Sequence, residues 1–179
     1  LAAVGIYGGN AKILNLFKNS KQGDKLILNI LKKMGAKIEI FDDYVKISSE
    51  GNLKGIDVDL SNAPDLLITV AILAALANGT TNITGVKHAR VKETDRIDTT
   101  CRELKKLGCK LKEFEDGMSI EGGIRSGVVD SHKDHRLAMA FSLVGLKHDI
   151  EIKNGEVFDV SFPNFIEAMS EIGVELELI

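Results

Sequence analysis

Three stretches of this chain follow one local pattern, and that internal repetition restricts the fold more than any other feature of the sequence. Residues 22–47 read QGDKLILNILKKMGAKIEIFDDYVKI, residues 93–120 read ETDRIDTTCRELKKLGCKLKEFEDGMSI, and residues 162–179 read FPNFIEAMSEIGVELELI. Apolar residues recur in them at helical spacing: Leu26, Ile30 and Leu31 in the first, Ile97, Leu104 and Leu107 in the second. A glycine follows each time (Gly35, Gly108, Gly173), the residue that most easily takes the left-handed conformation ending a helix. Alternating apolar residues then predict a strand, as in Lys37-Ile38-Glu39-Ile40, and VELELI is expected to form one too. Asp42-Asp43 and Glu115-Asp116-Gly117 predict hairpin turns, and Gly8-Gly9 and Gly122-Gly123 read as turns of the same type.

A second segment also recurs. Residues 62–79, NAPDLLITVAILAALANG, predict a helix with Pro64 in its first turn, where a missing N–H costs nothing. It is apolar almost all round, so it is expected to be buried on every side. Residues 133–145, KDHRLAMAFSLVG, match it, and a strand follows each (TTNITGV, HDIEIKN). The opening LAAVGIYGGNAKILNL matches the end of this segment, so the chain is expected to begin inside a helix. The reading is an α+β fold: a single domain over 1–179 with pseudo-threefold repeats of a βαβαββ-type unit. Its helices would be buried and its sheets would lie outside, wet on one face.

Composition removes several classes of function. Apolar residues make up 44% of the chain, ample for a core, while aromatics are 5% with no Trp, which leaves no stacking platform for single-stranded nucleic acid. The formal net charge of -3 provides no basic field for a phosphate backbone, so neither nucleic acid nor a membrane surface is expected as a partner. The longest apolar stretch, residues 66–77, is shorter than the roughly 20 residues a bilayer span needs. With no signal or lipidation motif read, a cytoplasmic location is expected. Cys101 and Cys109 fit no metal spacing and read as free thiols of a reducing compartment.

Chemistry is expected where the copies break rank. At the strand-to-helix junction the first copy has Asn19-Ser20-Lys21-Gln22-Gly23-Asp24 and the third Val160-Ser161-Phe162-Pro163-Asn164. The second has Arg90-Val91-Lys92-Glu93-Thr94-Asp95-Arg96, dense in charge. At the other junction, Asn62-Ala63-Pro64-Asp65 corresponds to Asp134-His135-Arg136. Helix N-termini favour anions, so Arg96 and Arg136 in first turns oppose the dipole and make better sense beside a ligand anion. As exposed first-turn charges, Arg96 and Glu93 are expected to contribute little to stability, and the plainer alternative for the junction is a solvated helix start with incidental charges. Glu93 and Asp65 are candidate proton-transfer groups, with a first-turn acid that complements the helix dipole as the plainer alternative. Asp95 and Asp134 read as acids that complement the helix dipole. His135 is left open among acid, ligand and spacer, and His88 and His132 are weaker candidates.

These residues also carry a resemblance. His88-Ala89-Arg90-Val91-Lys92-Glu93-Thr94-Asp95-Arg96-Ile97 is similar to the RVKE[TS]DR signature of the 5-enolpyruvylshikimate-3-phosphate synthase family. Asp134-His135-Arg136-Leu137-Ala138-Met139 resembles its DHRxAM signature. Asn19-Ser20-Lys21-Gln22-Gly23-Asp24 and Ser161-Phe162-Pro163 match in order and spacing, so the resemblance covers the whole chain. It implies a two-domain transferase with its active site in the cleft between domains, and a chain that forms most of the C-terminus-containing domain. The missing N-terminal domain would then be its partner, and the chain alone would be inactive. The implied reaction transfers the enolpyruvyl group of phosphoenolpyruvate to the 5-hydroxyl of shikimate 3-phosphate, in aromatic amino-acid biosynthesis.

By the same resemblance, Asp65 contacts the shikimate hydroxyls as general base and Glu93 moves the proton at the phosphoenolpyruvate methylene. Lys92 binds shikimate 3-phosphate, while Arg96 and Arg136 hold phosphoenolpyruvate with His135 beside them. No metal or organic cofactor is implied. Val160 stands where some members have a phosphate-contacting Lys, and His88 where some have Asn. The alternatives are the related UDP-N-acetylglucosamine enolpyruvyl transferase, whose corresponding stretch lacks RVKETDR, and a non-catalytic domain. RNA 3′-phosphate cyclase is a more distant one, disfavoured by the charge.

Overall fold

The computed structural model describes residues 1–178. One complete copy of the repeat lies in the middle of the chain. It runs β4 (Asp57–Asp59), α3 (Leu67–Ala75), β5 (Thr80–Thr84), α4 (Arg96–Lys106), β6 (Lys110–Phe114) and β7 (Gly117–Glu121), with sheet order β4-β5-β7-β6. The β4–β5 pair is parallel and the other two pairs are antiparallel. Before it come α1 (Ala2–Tyr7), β1 (Gly9–Leu14), α2 (Leu26–Met34), β2 (Lys37–Ile40) and β3 (Tyr44–Ser49), with the antiparallel order β1-β3-β2. That order repeats β5-β7-β6. After it come β8 (Gly127–Asp130), α5 (His135–Ser142), β9 (Ile150–Lys153) and α6 (Phe165–Glu171). The parallel β8–β9 pair repeats β4–β5. The βαβαββ unit of the sequence reading is thus present once in full and twice in part.

Burial explains why the helices face inward. In α3 every residue but Thr69 is buried, so the helix has no wet face to turn outward. It packs against α1, α4 and α5. The helix α2 is one-sided, burying Leu28, Ile30, Leu31 and Met34. Gly35 closes it at φ 114°, which satisfies the carbonyls of Leu31 and Lys32. The strands alternate: Thr81 and Ile83 point inward from β5, opposite Ile120 and Met118 of β7. Sheet faces and helices meet in one hydrophobic cluster running from Ile6 to Met169. No helix among the described residues is long and apolar enough to cross a membrane.

Two local expectations fail. Gly8-Gly9 and Gly122-Gly123 do not form hairpin turns. Gly8 and Gly9, both at positive φ, lead from α1 straight into β1. Gly122 and Gly123 tie the end of β7 to the end of α3, donating to the carbonyls of Gly79 and Ala75 at 2.9 Å each. A Cβ on Gly122 would fall on the Ala77 carbonyl oxygen, so that glycine serves close backbone approach. The expected strand VELELI forms none over residues 174–178, and Ile179 lies outside the described residues. No strand among the described residues lies alongside it to complete a ladder, and Val174 and Leu176 pack on the core instead. The hairpins at Asp42-Asp43 and Glu115-Asp116 are as expected, the latter closing on the Phe114↔Gly117 pair.

Leu73 is fully buried at the centre of α3, so Leu73→Ala is expected to lower unfolding free energy by about 2–5 kcal/mol in denaturant titrations. Gly122→Ala is expected to cost about 3 kcal/mol, the upper end for forcing a carbon into packed structure. A loss under about 1 kcal/mol in either variant would contradict this packing.

Candidate active site

Three helix starts converge at one rim of the domain. A 3-10 turn over Pro64–Leu66 precedes α3 and carries Asp65. A 3-10 turn over Lys87–Val91 leads through Lys92, Glu93 and Thr94 to the N-cap Asp95 of α4, whose first residue is Arg96. Asp134 is the N-cap of α5, followed by His135 and Arg136. Both caps are satisfied in the ordinary way: Asp95 accepts from the Asp98 amide at 3.0 Å, and Asp134 from the Arg136 amide at 2.9 Å.

The guanidinium of Arg96 organises the rim. Its side chain is 2% exposed, and its nitrogens reach three carboxylates. Nε donates to Asp134 Oδ2 at 2.8 Å and Nη2 to Asp134 Oδ1 at 3.3 Å. Nη1 donates to Asp65 Oδ1 at 3.0 Å, and Nη2 lies 2.7 Å from Glu93 Oε2. Asp65 is shared: its Oδ2 accepts from Arg136 Nη2 at 3.1 Å, and Lys92 Nζ stands 3.9 Å from its Oδ1. Asp65, Lys92, Glu93, Arg96 and Arg136, the five sequence candidates, therefore form one connected cluster. Lys92, Glu93 and Arg96 share the segment that leads into α4, Asp65 precedes α3 of the same complete unit, and Arg136 comes from the partial unit that follows.

The structure alters three readings. Arg96 is not an exposed first-turn charge; it is buried, and three protein carboxylates surround it. Asp134 is more than a dipole-complementing acid, since it is fully buried and holds Arg96 with both oxygens. Burial pushes the Asp134 carboxyl up, but the Arg96 hydrogen bond and charge with the Arg136 amide outweigh it and hold it below the ordinary carboxylate range. Glu93 stands two residues before the N-cap of α4 and so is not in its first turn.

Sequence reasoning gave Arg90 no role. It donates to Asp95 Oδ2 at 2.9 Å, to Glu113 Oε1 at 2.8 Å and to the carbonyls of Glu115 and Phe114 at 2.9 and 2.7 Å. It thereby pins the charged segment to the β6–β7 hairpin. The only sequence signal was its place in a charge-dense junction. His88 is exposed and His135 half-buried. Val160 is 78% exposed, and neither it nor Ser161-Phe162-Pro163 joins the ion-pair cluster among the described residues. From the first junction, Gly23 packs on the Asn62 carbonyl, where a Cβ would sit 2.5 Å from the oxygen. Both thiols are free and buried, and burial pushes Cys101 up to about 12 and Cys109 to about 11, which makes them poor nucleophiles.

The model of one protein family, EPSP synthase (3-phosphoshikimate 1-carboxyvinyltransferase), matches residues 1–169. The chain belongs to the EPSP synthase family. It is 97% identical over 179 residues to the 3-phosphoshikimate 1-carboxyvinyltransferase of Methanobrevibacter smithii, covering all of this chain and 41% of that protein. It is 54% identical over 176 residues to the enzyme of the same name from Methanothermobacter thermautotrophicus, covering 98% of this chain and 42% of the relative. Among solved structures, EPSP synthase from Acinetobacter baumannii superposes with a TM-score of 0.81 at 33% identity, over 98% of this chain and 45% of that one. The enolpyruvyl transferase NikO from Streptomyces tendae shares the fold, with a TM-score of 0.68 at 16% identity over 97% of this chain and 41% of its own. The chain thus spans about two-fifths of the length of these curated relatives.

Removing one partner of a buried ion pair strands the other. Arg96→Ala is therefore expected to destabilise the fold by about 3–5 kcal/mol, because Asp134 has no exposure through which water could replace the guanidinium. An unchanged denaturation midpoint would contradict this role. Acid should act through the same carboxylate. Its pKa is depressed in the fold, so its contribution is complete above the unfolded value near 3.8 and is lost as pH falls through the folded one. Stability is expected to fall below about pH 4 in the wild type and more shallowly in Asp134→Asn, as read by urea midpoints across an acid series.

Proposed function

We propose that this chain supplies one wall of an active site that transfers the enolpyruvyl group of phosphoenolpyruvate to the 5-hydroxyl of shikimate 3-phosphate, releasing phosphate. It would do so as most of the C-terminus-containing domain of a two-domain cytoplasmic enzyme, the facing wall coming from the rest of the relatives' length. The convergence of Asp65, Lys92, Glu93, Arg96 and Arg136 at one rim, in a member of this family, carries the reading.

The steps follow from the groups present. Carbon 3 of phosphoenolpyruvate takes a proton, the 5-hydroxyl of shikimate 3-phosphate loses one and adds to carbon 2, and a tetrahedral intermediate forms. Loss of phosphate and of a carbon 3 proton restores the double bond, now as an enol ether. Glu93 moves the methylene proton in both directions, and Asp65 receives the hydroxyl proton. Arg136 and Arg96 offer planar donors to the carboxylate of phosphoenolpyruvate, and Lys92 offers a point charge to shikimate 3-phosphate. Because Asp65 bridges the two arginines, the anion and the general base meet at one place. Fixed charges of this kind stabilise developing negative charge without reorganising during the reaction.

In the full-length enzyme, Glu93→Gln is expected to lower kcat by about 10²–10⁴ while both KM values change little, since a proton-transfer group is lost and a binding group is not. Arg136→Lys should instead raise the KM for phosphoenolpyruvate, a point charge replacing a planar fork. The 179-residue chain alone should show negligible turnover. Turnover by the chain alone would overturn the reading that a second wall is needed, and unaltered kinetics in Glu93→Gln would overturn the assignment and favour a non-catalytic role for this rim.

A further inference from the structure

A second buried carboxylate lies on the same face of α4. Glu103 is seven residues, two helical turns, beyond Arg96, and it too is fully buried. Its Oε1 meets His132 Nε2 at 2.8 Å, its Oε2 accepts from the Asp130 amide at 3.0 Å, and Lys106 Nζ lies 2.7 Å from Oε2. Arg102 Nε stands 3.8 Å away. Burial pushes the Glu103 carboxyl up, and the His132, Lys106 and Asp130 contacts outweigh it and hold it below the ordinary range. Nothing in the proposed reaction uses these groups.

They do hold the segment that delivers Asp134. His132 and Lys133 are consecutive non-glycine residues in the left-handed region, at φ 50° and 61°, a conformation that L side chains adopt at a cost. Hydrogen bonds fasten this turn from several sides. Asp130 Oδ1 accepts from the His132 amide at 2.7 Å and from Asn154 Nδ2 at 2.9 Å. Ser131 Oγ accepts from the Lys133 amide at 3.1 Å and donates to the Asn154 carbonyl at 2.9 Å. The next residue is Asp134, which seats Arg96 and caps the helix that starts at His135. So α4 grips residues 130–134 at three points: Glu103–Asp130, Glu103–His132 and Arg96–Asp134.

We infer that Glu103 and His132 are positioning residues, which hold the strained turn in the shape that seats Asp134 against Arg96 and so set the arginine pair facing phosphoenolpyruvate. This rests on the reading of Arg96 and Arg136 as the phosphoenolpyruvate site. Lys92 lies four residues before Arg96 and pairs with Asp65, not with residues 130–134, so shikimate 3-phosphate binding should feel the clamp much less.

The test compares His132→Ala with His132→Gly in the full-length enzyme. The ring is 31% exposed, so neither change empties a sealed core. Both lose the same contact, but glycine accepts φ 50° without strain. His132→Ala is expected to raise the KM for phosphoenolpyruvate about tenfold, with the KM for shikimate 3-phosphate and the melting temperature nearly unchanged. His132→Gly should raise it clearly less. Glu103→Gln should raise the phosphoenolpyruvate KM likewise, with some loss of melting temperature because a buried, paired carboxylate is neutralised, and adding Lys133→Gly should partly restore the KM. Equal effects of Ala and Gly, or a parallel rise of both KM values tracking a loss of melting temperature, would make the cluster structural only and overturn the inference. Arg136→Ala is the control: an unchanged phosphoenolpyruvate KM there would sink the arginine reading itself, which is a different failure.

Discussion

A buried guanidinium fixes the geometry of this rim. Arginine cannot escape burial by losing its proton, so the fold must surround it with acceptors or leave a charge stranded at a cost of several kcal/mol. Asp134, Asp65 and Glu93 are those acceptors, and they reside on the α5 start, the turn before α3 and the segment before α4. Satisfying Arg96 therefore sets the relative placement of three chain segments far apart in sequence. The helix α3, apolar but for Thr69, packs against α4 and α5 and takes no part in the ion pairs of the cluster.

The repeat architecture makes this convergence economical. Each unit starts its helices on the same side of its sheet, so the pseudosymmetric packing of one complete and two partial units brings helix starts toward a common rim. The cores of the units are interchangeable in kind: apolar helix, left-handed glycine, alternating strand. The junctions are not. Functional divergence can accumulate in a few junction residues because the repeated core already holds them in place.

That division also explains what the sequence disclosed. Leu26, Ile30, Leu31 and Gly35 announce a helix and its end by local rules, and α2 follows them. The all-round apolar pattern of residues 66–77 announced a buried helix, and α3 is one. The five rim residues were legible as unlike charges at equivalent junctions, since repetition supplies the register that a single copy lacks. Partnerships were not. Nothing local to Asp134 says that its second oxygen reaches a guanidinium 38 positions earlier, and nothing local to Glu103 says that it faces His132. Reading Arg96 as exposed went wrong for the same reason. A first-turn charge is wet by default, and only the tertiary partners make its burial tolerable. The Gly122-Gly123 pair looked like a turn because close backbone approach and positive φ both favour glycine.

The balance of charge at the rim bears on how an anion could bind there. Arg96, Arg136 and Lys92 face Asp65, Glu93 and Asp134, three cations against three carboxylates, so the ionised cluster is formally neutral. A chain with a net charge of -3 can hold such a site without any basic field, which is why composition excluded a phosphate backbone yet said nothing about a small anion. Affinity under the proposed function then cannot come from surplus positive charge. It has to come from exchange, in which the substrate anion takes donor positions on Arg136 and Arg96 that Asp65 occupies, while Asp65 turns to the shikimate hydroxyl. The net gain of such an exchange is a difference between two sets of charge-assisted hydrogen bonds, each about 1.5–3 kcal/mol, and is far smaller than either set. Asp134 is the one carboxylate that cannot be exchanged, because it is sealed from solvent. It keeps Arg96 in place while Asp65 leaves, so the buried pair provides the fixed frame against which the half-buried pair can change partners.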